Sequence, residues 1–401
     1  MDKKIVDAVV EALYSGWITT GPRTKRFEKM LTAQGGQQTT LCVNSATAGL
    51  ELVLHWYGVG PGDEVIVPAY TYNATANVVV HCGAKVVFAD AGADFNISVE
   101  AIERAITSRT KVIIPVDIGG YPCNYDEINE LVGQQEVRTL FQADTPAQKQ
   151  LGRILVLSDA AHSLGAWYKG KRVGSLTDIT VYSFHAVKNL TTAEGGAICF
   201  NLPAPFDNQK IYERLNIKSL HGQTKDALAK SQVGNWRYDI VEAGYKCNMT
   251  DIQAAMGIVE LERYDTDMLP RRKAIFHRYS NALKNYKWVQ LPPFETPEKT
   301  SSYHVFALRI KGITEEQRDQ IIAGIFTREV AVNVHFVPLP MMTYYKDAGY
   351  RMPDYPVSYD NYSREITLPV YYDLTDEMVD TVVQAVVEAM EEEMRQPGRN
   401  P

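Results

Sequence analysis

The chain has no apolar run approaching the roughly 20 residues that span a bilayer, so no helical membrane segment is expected. Cysteine is scarce, with five in 401 residues. Cys42, Cys82, Cys123, Cys199 and Cys247 are scattered, odd in number and free of any Cys-x-x-Cys pair. That argues against a disulfide frame and against a metal site. There is no excess of positive charge either: 41 Lys and Arg stand against 48 Asp and Glu, a net −7. Neither nucleic acid nor an anionic membrane is therefore an expected partner, although a local basic pocket for a phosphorylated ligand remains compatible. Internal repeats and heptads are missing. The start, Met1 to Ile5, runs into an amphipathic pattern and not into a signal-peptide core. Together these absences predict a soluble cytoplasmic protein.

What is present is ordinary globular composition, 45% hydrophobic, in a chain long enough for two domains. From Thr39 to Phe200 short apolar runs alternate with helical patterns. The expected strands are Thr40 to Val43, Glu64 to Val67, Lys85 to Ala89, Lys111 to Val116, Arg153 to Leu157, Ile179 to Phe184 and Ala197 to Phe200. Between them apolar residues recur at helical spacing over Ala48 to Tyr57, Ala74 to Cys82, Val99 to Ile106 and Tyr125 to Leu131. Ser98 is a good N-cap, and Thr250 opens an alanine-rich helix reaching Tyr264. Such alternation predicts an α/β fold with a mostly parallel sheet, helices on both faces and ligands at the carboxyl ends of the strands. Gly133 to Gly152 is polar and Gln-rich, a surface insertion; Asn201 to Asp239 is charged and poor in strands. Past a boundary near Pro270 come apolar strands at Tyr303 to Ile310 and Ala331 to Phe336. An amphipathic helix, Asp376 to Met394, and a frayed tail, Gln396 to Pro401, close the chain.

The chemistry concentrates in four segments. Tyr182 to Gly196 ends a strand in a polar loop that holds one lysine, Lys188, where a desolvated amine becomes a nucleophile toward carbonyls. Ile154 to Asp159 is a buried strand delivering an acid, followed by the small residues Ala160 and Ala161 and by His162. A lysine and an aspartate at the ends of two strands are what pyridoxal 5'-phosphate (PLP) needs: one holds the aldehyde as an imine, the other keeps the ring nitrogen protonated. Val43 to Leu50 passes from strand to helix through Ser45, Ala46 and Thr47, whose free N–H groups and hydroxyls make a phosphate cup. Pro68 to Asn77 offers Tyr72 for stacking on a heteroaromatic ring. Each segment also has an ordinary reading, as a surface lysine, a core helix cap, a buried tyrosine or a structural histidine; their combination is what points to a cofactor.

In this order the segments resemble the DegT-like sugar aminotransferases, PLP enzymes of the aspartate-aminotransferase fold (fold type I). The likeness spans nearly the whole chain, from Ser15 to Pro22 through Pro61 to Pro68 and Gly244 to Asp251, and on to His335 to Leu339 and Leu368 to Tyr371. The wording of Asp159 to His162 and Ser183 to Asn189 is closest to the branch containing UDP-4-amino-4-deoxy-L-arabinose–oxoglutarate aminotransferase. The resemblance implies that Lys188 is the Schiff-base lysine and proton shuttle and that Asp159 pairs with the pyridinium nitrogen. It places Tyr72 where other members have Trp or Phe, and His162, often Gln in the family, toward the cofactor oxygen. Ala46, Thr47 and Ser183 would hold the phosphate. Lys246 and Asn248 match a family segment that reaches across a dimer interface to the neighbouring cofactor phosphate, and either could make that contact. Thr20 and His335 match segments around the substrate entrance. A large cofactor-binding domain, 1–265, with residues 1–25 at the entrance, and a small α+β domain, 266–401, are implied. So is a homodimer with active sites at its interface.

The activity so implied is ping-pong transfer of an amino group from L-glutamate, leaving 2-oxoglutarate, to a nucleotide-linked keto-sugar such as a UDP-4-keto sugar. The product would serve amino-sugar and surface polysaccharide synthesis. Two departures bear on specificity: Tyr72 in place of Trp, and a Gly133 to Gly152 insertion longer than the family pattern. An aminotransferase for a non-sugar cyclic ketone and a catalytically silent scaffold of the same fold are the alternatives. A PLP-dependent sugar dehydratase would place His where Lys188 stands or add cluster-binding cysteines.

Overall fold

The computed structural model describes residues 2–225 and 236–395. A seven-stranded sheet organises the first two thirds of the chain. Its strands are β1 (Thr39–Val43), β2 (Glu64–Pro68), β3 (Lys85–Ala89), β4 (Thr110–Ile113), β5 (Leu155–Asp159), β6 (Ile179–Ser183) and β7 (Gly196–Phe200), in the spatial order β1-β7-β6-β5-β4-β2-β3. Pairs β2/β3, β2/β4, β4/β5 and β5/β6 are parallel, while β7 runs antiparallel to both β1 and β6. Side chains alternate between two apolar clusters. Leu41, Val65, Val112 and Leu155 face one; Cys42, Ile66, Ile113 and Val156 face the other. That period of two, fully apolar on both sides, is the signature of a sheet covered by helices on each face.

Helices follow the predicted caps. Ser98 accepts from the Ala101 N–H and Thr250 forms a capping box with Gln253, opening the helices Val99–Ala105 and Asp251–Glu262. The strand that delivers Asp159 runs over Leu155–Asp159, within the expected Ile154 to Asp159 and two residues past the narrower Arg153 to Leu157 range, and β4 ends at Ile113, just ahead of Pro115. Gly133 to Gly152 is largely exposed but ordered, with short helices at Gln135–Leu140 and Pro146–Leu151. Gln148, fully buried, anchors it by donating to the Tyr57 carbonyl across 3.0 Å.

A second core, built from residues such as Phe276, Phe306, Ile321 and Val386, surrounds a small antiparallel sheet of β8 (Val289–Gln290), β9 (Phe306–Ile310) and β10 (Glu365–Leu368). Residues 334–362 return to the large sheet, where Leu339 N–H bonds the Ala69 carbonyl and Ser358 bonds Asp90. The strand expected over Ala331 to Phe336 does not form. A single bridge, Asn333 to Thr367, is made there, and the His335 N–H turns to the Glu365 side chain instead of to a neighbouring strand. Of the Asn201 to Asp239 segment, Asn208–Lys218 is helical and residues 226–235 lie outside the described residues. The tail Gln396 to Pro401 lies outside them too. Among the described residues no helix is long and apolar enough to cross a membrane.

Candidate active site

The carboxyl ends of β5 and β6 open into a cavity of about 440 Å³. Asp159 is the last residue of β5, paired with Val181 of β6, and Lys188 lies five residues beyond the end of β6. The lysine loop is closed at its base by backbone bonds of 2.9 Å from Phe184 to Gly195 and from Thr192 to Phe184. Eight of the residues singled out in the sequence line this one cavity: Ala46, Thr47, Tyr72, Asp159, His162, Ser183, Lys188 and His335.

Burial dominates the electrostatics. Asp159 is 6% exposed, and desolvation raises its pKa against the hydrogen bonds that hold it. Its Oδ2 accepts from Thr75 Oγ1 at 2.8 Å and its Oδ1 from the Ala161 N–H at 3.2 Å. A cation placed beside this carboxyl would reverse the shift and restore the charged form. Lys188 is lowered to about 8: desolvation depresses its basicity, and the attraction of Asp159 only partly offsets it. Burial holds His162 well below the usual imidazole range, so it is neutral. Its Nδ1 accepts from the Gly119 N–H at 3.3 Å, which places the ring proton on Nε2. Its ring stacks on Phe336, with centroids 5.9 Å apart and planes 21° from parallel.

A helix N-terminus also lines the cavity. Ser45 caps the helix Ala46–Tyr57 by accepting from the Ala48 N–H, and the N–H groups of Ala46 and Thr47 have no earlier turn to bond. Gly196 lets β7 pass against this turn, since a Cβ there would lie 2.5 Å from the Ala46 nitrogen. The donor set therefore fits PLP. An anion cup of N–H groups with the Thr47 and Ser183 hydroxyls, a buried acid and an amine of depressed basicity line the same space. Tyr72, 61% exposed, stands at the rim with Phe336, ring centroids 5.9 Å apart.

Thr20, Lys246 and Asn248 are brought together elsewhere. Asn248 donates to Thr20 Oγ1 at 2.6 Å, Thr20 donates to the Met249 carbonyl at 2.6 Å, and Lys246 bonds Asn248. This cluster is joined to the end of β1 through Asn44 and Cys247, but its side chains do not line the cavity.

Three contributors escaped the sequence reading. Thr75 lies within the quoted Pro68 to Asn77 segment, and its spacing of four from Thr71, to which it is bonded, was the available signal. His304 lines the cavity and contacts His162, with ring centroids 4.4 Å apart. Its Nδ1 is 2.8 Å from Asn189 Oδ1, the residue next to Lys188. Phe336 adds an aromatic wall. Phe336 lies in the quoted His335 to Leu339 segment, whereas nothing local in the sequence marks His304.

A model of the DegT/DnrJ/EryC1/StrS aminotransferase family matches residues 1–387. A putative sugar aminotransferase from Streptococcus pneumoniae, solved in its PMP form, superposes with a TM-score of 0.94 at 45% identity, covering 98% of each chain. Its PLP form gives 0.93 at 43%, covering 98% of this chain and 97% of that one. The spore coat polysaccharide biosynthesis protein SpsC of Bacillus subtilis is 36% identical over 385 residues, 94% of this chain and 92% of SpsC. The aminotransferase PseC of Helicobacter pylori, involved in the biosynthesis of pseudoaminic acid, superposes with a TM-score of 0.85 at 26% identity, covering 98% and 97%.

Proposed function

The chain belongs to the DegT/DnrJ/EryC1/StrS aminotransferase family and is a PLP-dependent aminotransferase; from that premise we propose that it moves the amino group of L-glutamate to a nucleotide-linked keto-sugar, a UDP-4-keto sugar in the first instance. The observation that carries the reading is the convergence of Lys188 and Asp159, from the ends of adjacent parallel strands, on one cavity beneath a helix N-terminus. Sugar aminotransferase and polysaccharide relatives at 45% and 36% identity support a sugar acceptor and a role in surface polysaccharide synthesis.

When bound, PLP supplies an aldehyde for amine exchange and a ring that accepts the electrons of a broken C–H bond. The rest falls to the protein. The Ala46 and Thr47 N–H groups, with the Thr47 and Ser183 hydroxyls, would hold the phosphate. Asp159, oriented by Thr75 and the Ala161 N–H, would stay ionised against a protonated ring nitrogen. Lys188, near 8, would take up and return a proton at its Nζ close to working pH, as general acid–base catalysis requires. His162 would donate from Nε2 and Tyr72 would cover a ring face. A homodimer belongs to this reading: Lys246 is exposed and, with Asn248, stands clear of its own chain's cavity lining, free to serve a neighbour's. Thr20 braces that segment. A cytoplasmic location accompanies the nucleotide-linked acceptor.

The test is an absorbance spectrum of the PLP-loaded protein before and after excess L-glutamate, followed by a screen of nucleotide keto-sugars for reversal of the change. Loss of the visible band with release of 2-oxoglutarate, restored by a UDP-4-keto sugar, is the expected result. A band indifferent to glutamate would remove the donor assignment, and restoration by cyclic non-sugar ketones alone would remove the acceptor.

A further inference from the structure

Behind the cavity-lining His335 lies a buried polar chain that the chemistry above does not use. Thr367 Oγ1 stands 3.0 Å from His335 Nδ1 and 2.5 Å from Glu365 Oε1, while Glu365 Oε2 accepts from the His335 backbone N–H at 3.0 Å. Glu365 and Thr367 open β10 two residues apart, so the pleat puts both side chains on one face. Glu365 is fully buried. With Nδ1 committed to Thr367, Nε2 is the polar atom that the His335 ring has left for the cavity.

We propose that Glu365, acting through Thr367, decides which ring nitrogen of His335 carries the proton, and so whether His335 offers the substrate a hydrogen-bond donor or a lone pair. A hydroxyl has one hydrogen to give, which forces the two arrangements. When Glu365 is neutral, its Oε1–H donates to Thr367, Thr367 donates to Nδ1, and Nε2–H faces the cavity. Oε2 stays an acceptor for the His335 N–H in this form, as its contact requires. When Glu365 is ionised, Thr367 donates to Oε1, Nδ1–H donates to Thr367, and Nε2 shows its lone pair. The change releases one proton: each hydroxyl hydrogen moves one step toward the ring, and the proton leaves from Nε2.

The electrostatic setting keeps this a choice between neutral tautomers. Burial and the charge of Lys188 lower His335 to about 4, so the imidazole is uncharged in both arrangements. Desolvation raises Glu365 to about 8, against its bonds to Thr367 and His335 and the pull of Arg318 and Arg309. Arg318 comes from the helix Glu315–Phe326 and Arg309 from β9. Tyr70, after β2, bonds the His335 carbonyl and also bears on Glu365. On the cavity side His335 interacts with Lys188, His162 and His304, and burial keeps both of those histidines neutral. Glu365 and Thr367 are positioning residues here, because they act through His335. The consequence for the substrate rests on the cavity being the transamination site; the tautomer itself does not.

The experiment is histidine-selective ¹⁵N labelling of the full chain, with His335→Asn used to assign its signals and the pH moved from 6 to about 9.5 across the Glu365 value of about 8. Wild type should carry the proton on Nε2 at the low end and on Nδ1 at the high end. Glu365→Gln, whose amide donates to Thr367 while its carbonyl keeps the His335 N–H, should hold Nε2–H throughout. Thr367→Val should abolish the pH dependence. A wild-type tautomer that never changes, or a Glu365→Gln protein that switches like wild type, overturns the proposal, and the wild-type titration decides even where a variant fails to fold. In the loaded enzyme, kcat/KM should show an inflection near that pH that Glu365→Gln removes. A switching tautomer with a rate profile blind to Glu365→Gln upholds the relay and counts instead against the placement of substrate beside His335.

Discussion

Thr75 donates its hydroxyl to Asp159 Oδ2 across 2.8 Å, joining the first turn of the helix Ala74–His81 to the last residue of β5. Thr75 is itself 3.1 Å from Thr71 Oγ1, and because its hydrogen goes to Asp159, Thr71 must donate to it. The acid thus rests on a two-hydroxyl chain and the Ala161 N–H, with the charge of Lys188 acting in the same direction. Thr75→Val keeps the shape and removes the donor, leaving a buried carboxylate oxygen unpaired at a cost of about 1–3 kcal/mol. Chemical denaturation should show that loss, and kcat should fall with it as the Asp159 pKa climbs further; unchanged stability and turnover would deny Thr75 its supporting role.

Lys188 should capture cofactor in a pH-dependent way. Only the neutral amine attacks an aldehyde. A group near 8 is about one tenth neutral at pH 7, whereas an ordinary lysine is neutral in about four molecules in ten thousand. The rate at which the cofactor-free protein gains its visible band with PLP should rise as pH increases through about 8 and then level off. A rise continuing toward pH 10 would mean an ordinary lysine. Lys188→Ala should show no lysine-bound band at any pH.

Asp159→Asn should retain PLP but slow turnover by about 10²–10³-fold or more, the scale of losing a preorganised charge in a dry site. The amide fills the same space but keeps one acceptor, for Thr75 or for the Ala161 N–H, so denaturation measured beside turnover separates a folding loss from a catalytic one. Turnover close to wild type would remove Asp159 from its assigned role.

Gly196→Ala tests the phosphate cup. The added methyl meets the backbone of Ser45 and Ala46, not the end of a flexible side chain, and overpacking of this kind costs about 1–3 kcal/mol. PLP affinity should drop by about 10- to 100-fold. Binding of pyridoxal, which lacks the phosphate, should change much less. Equal losses for both would place the damage in the sheet instead of the cup.

Local sequence determined the parts of this protein whose cause is local. Apolar runs with the right caps produced the strands that deliver Asp159 and Lys188, and Ser45 fixed where the helix Ala46–Tyr57 begins. Repeat-free strand–helix alternation set the mostly parallel sheet, and in such a sheet the carboxyl ends of adjacent strands meet at one place. Tertiary structure alone decided the supporting contacts. Thr75 reaches Asp159 across 84 positions of chain, Asn189 meets His304 across 115, and Glu365 meets the His335 N–H across 30. No periodicity carries such pairings, because they arise only when separate elements pack. The same packing overruled the strand expected at Ala331 to Phe336, whose apolar character serves the cavity wall through Phe336 and not a sheet. It also set the proton affinities, since the chemical identity of a lysine or glutamate fixes its behaviour in water, and only burial moved Lys188 and Glu365 toward 8.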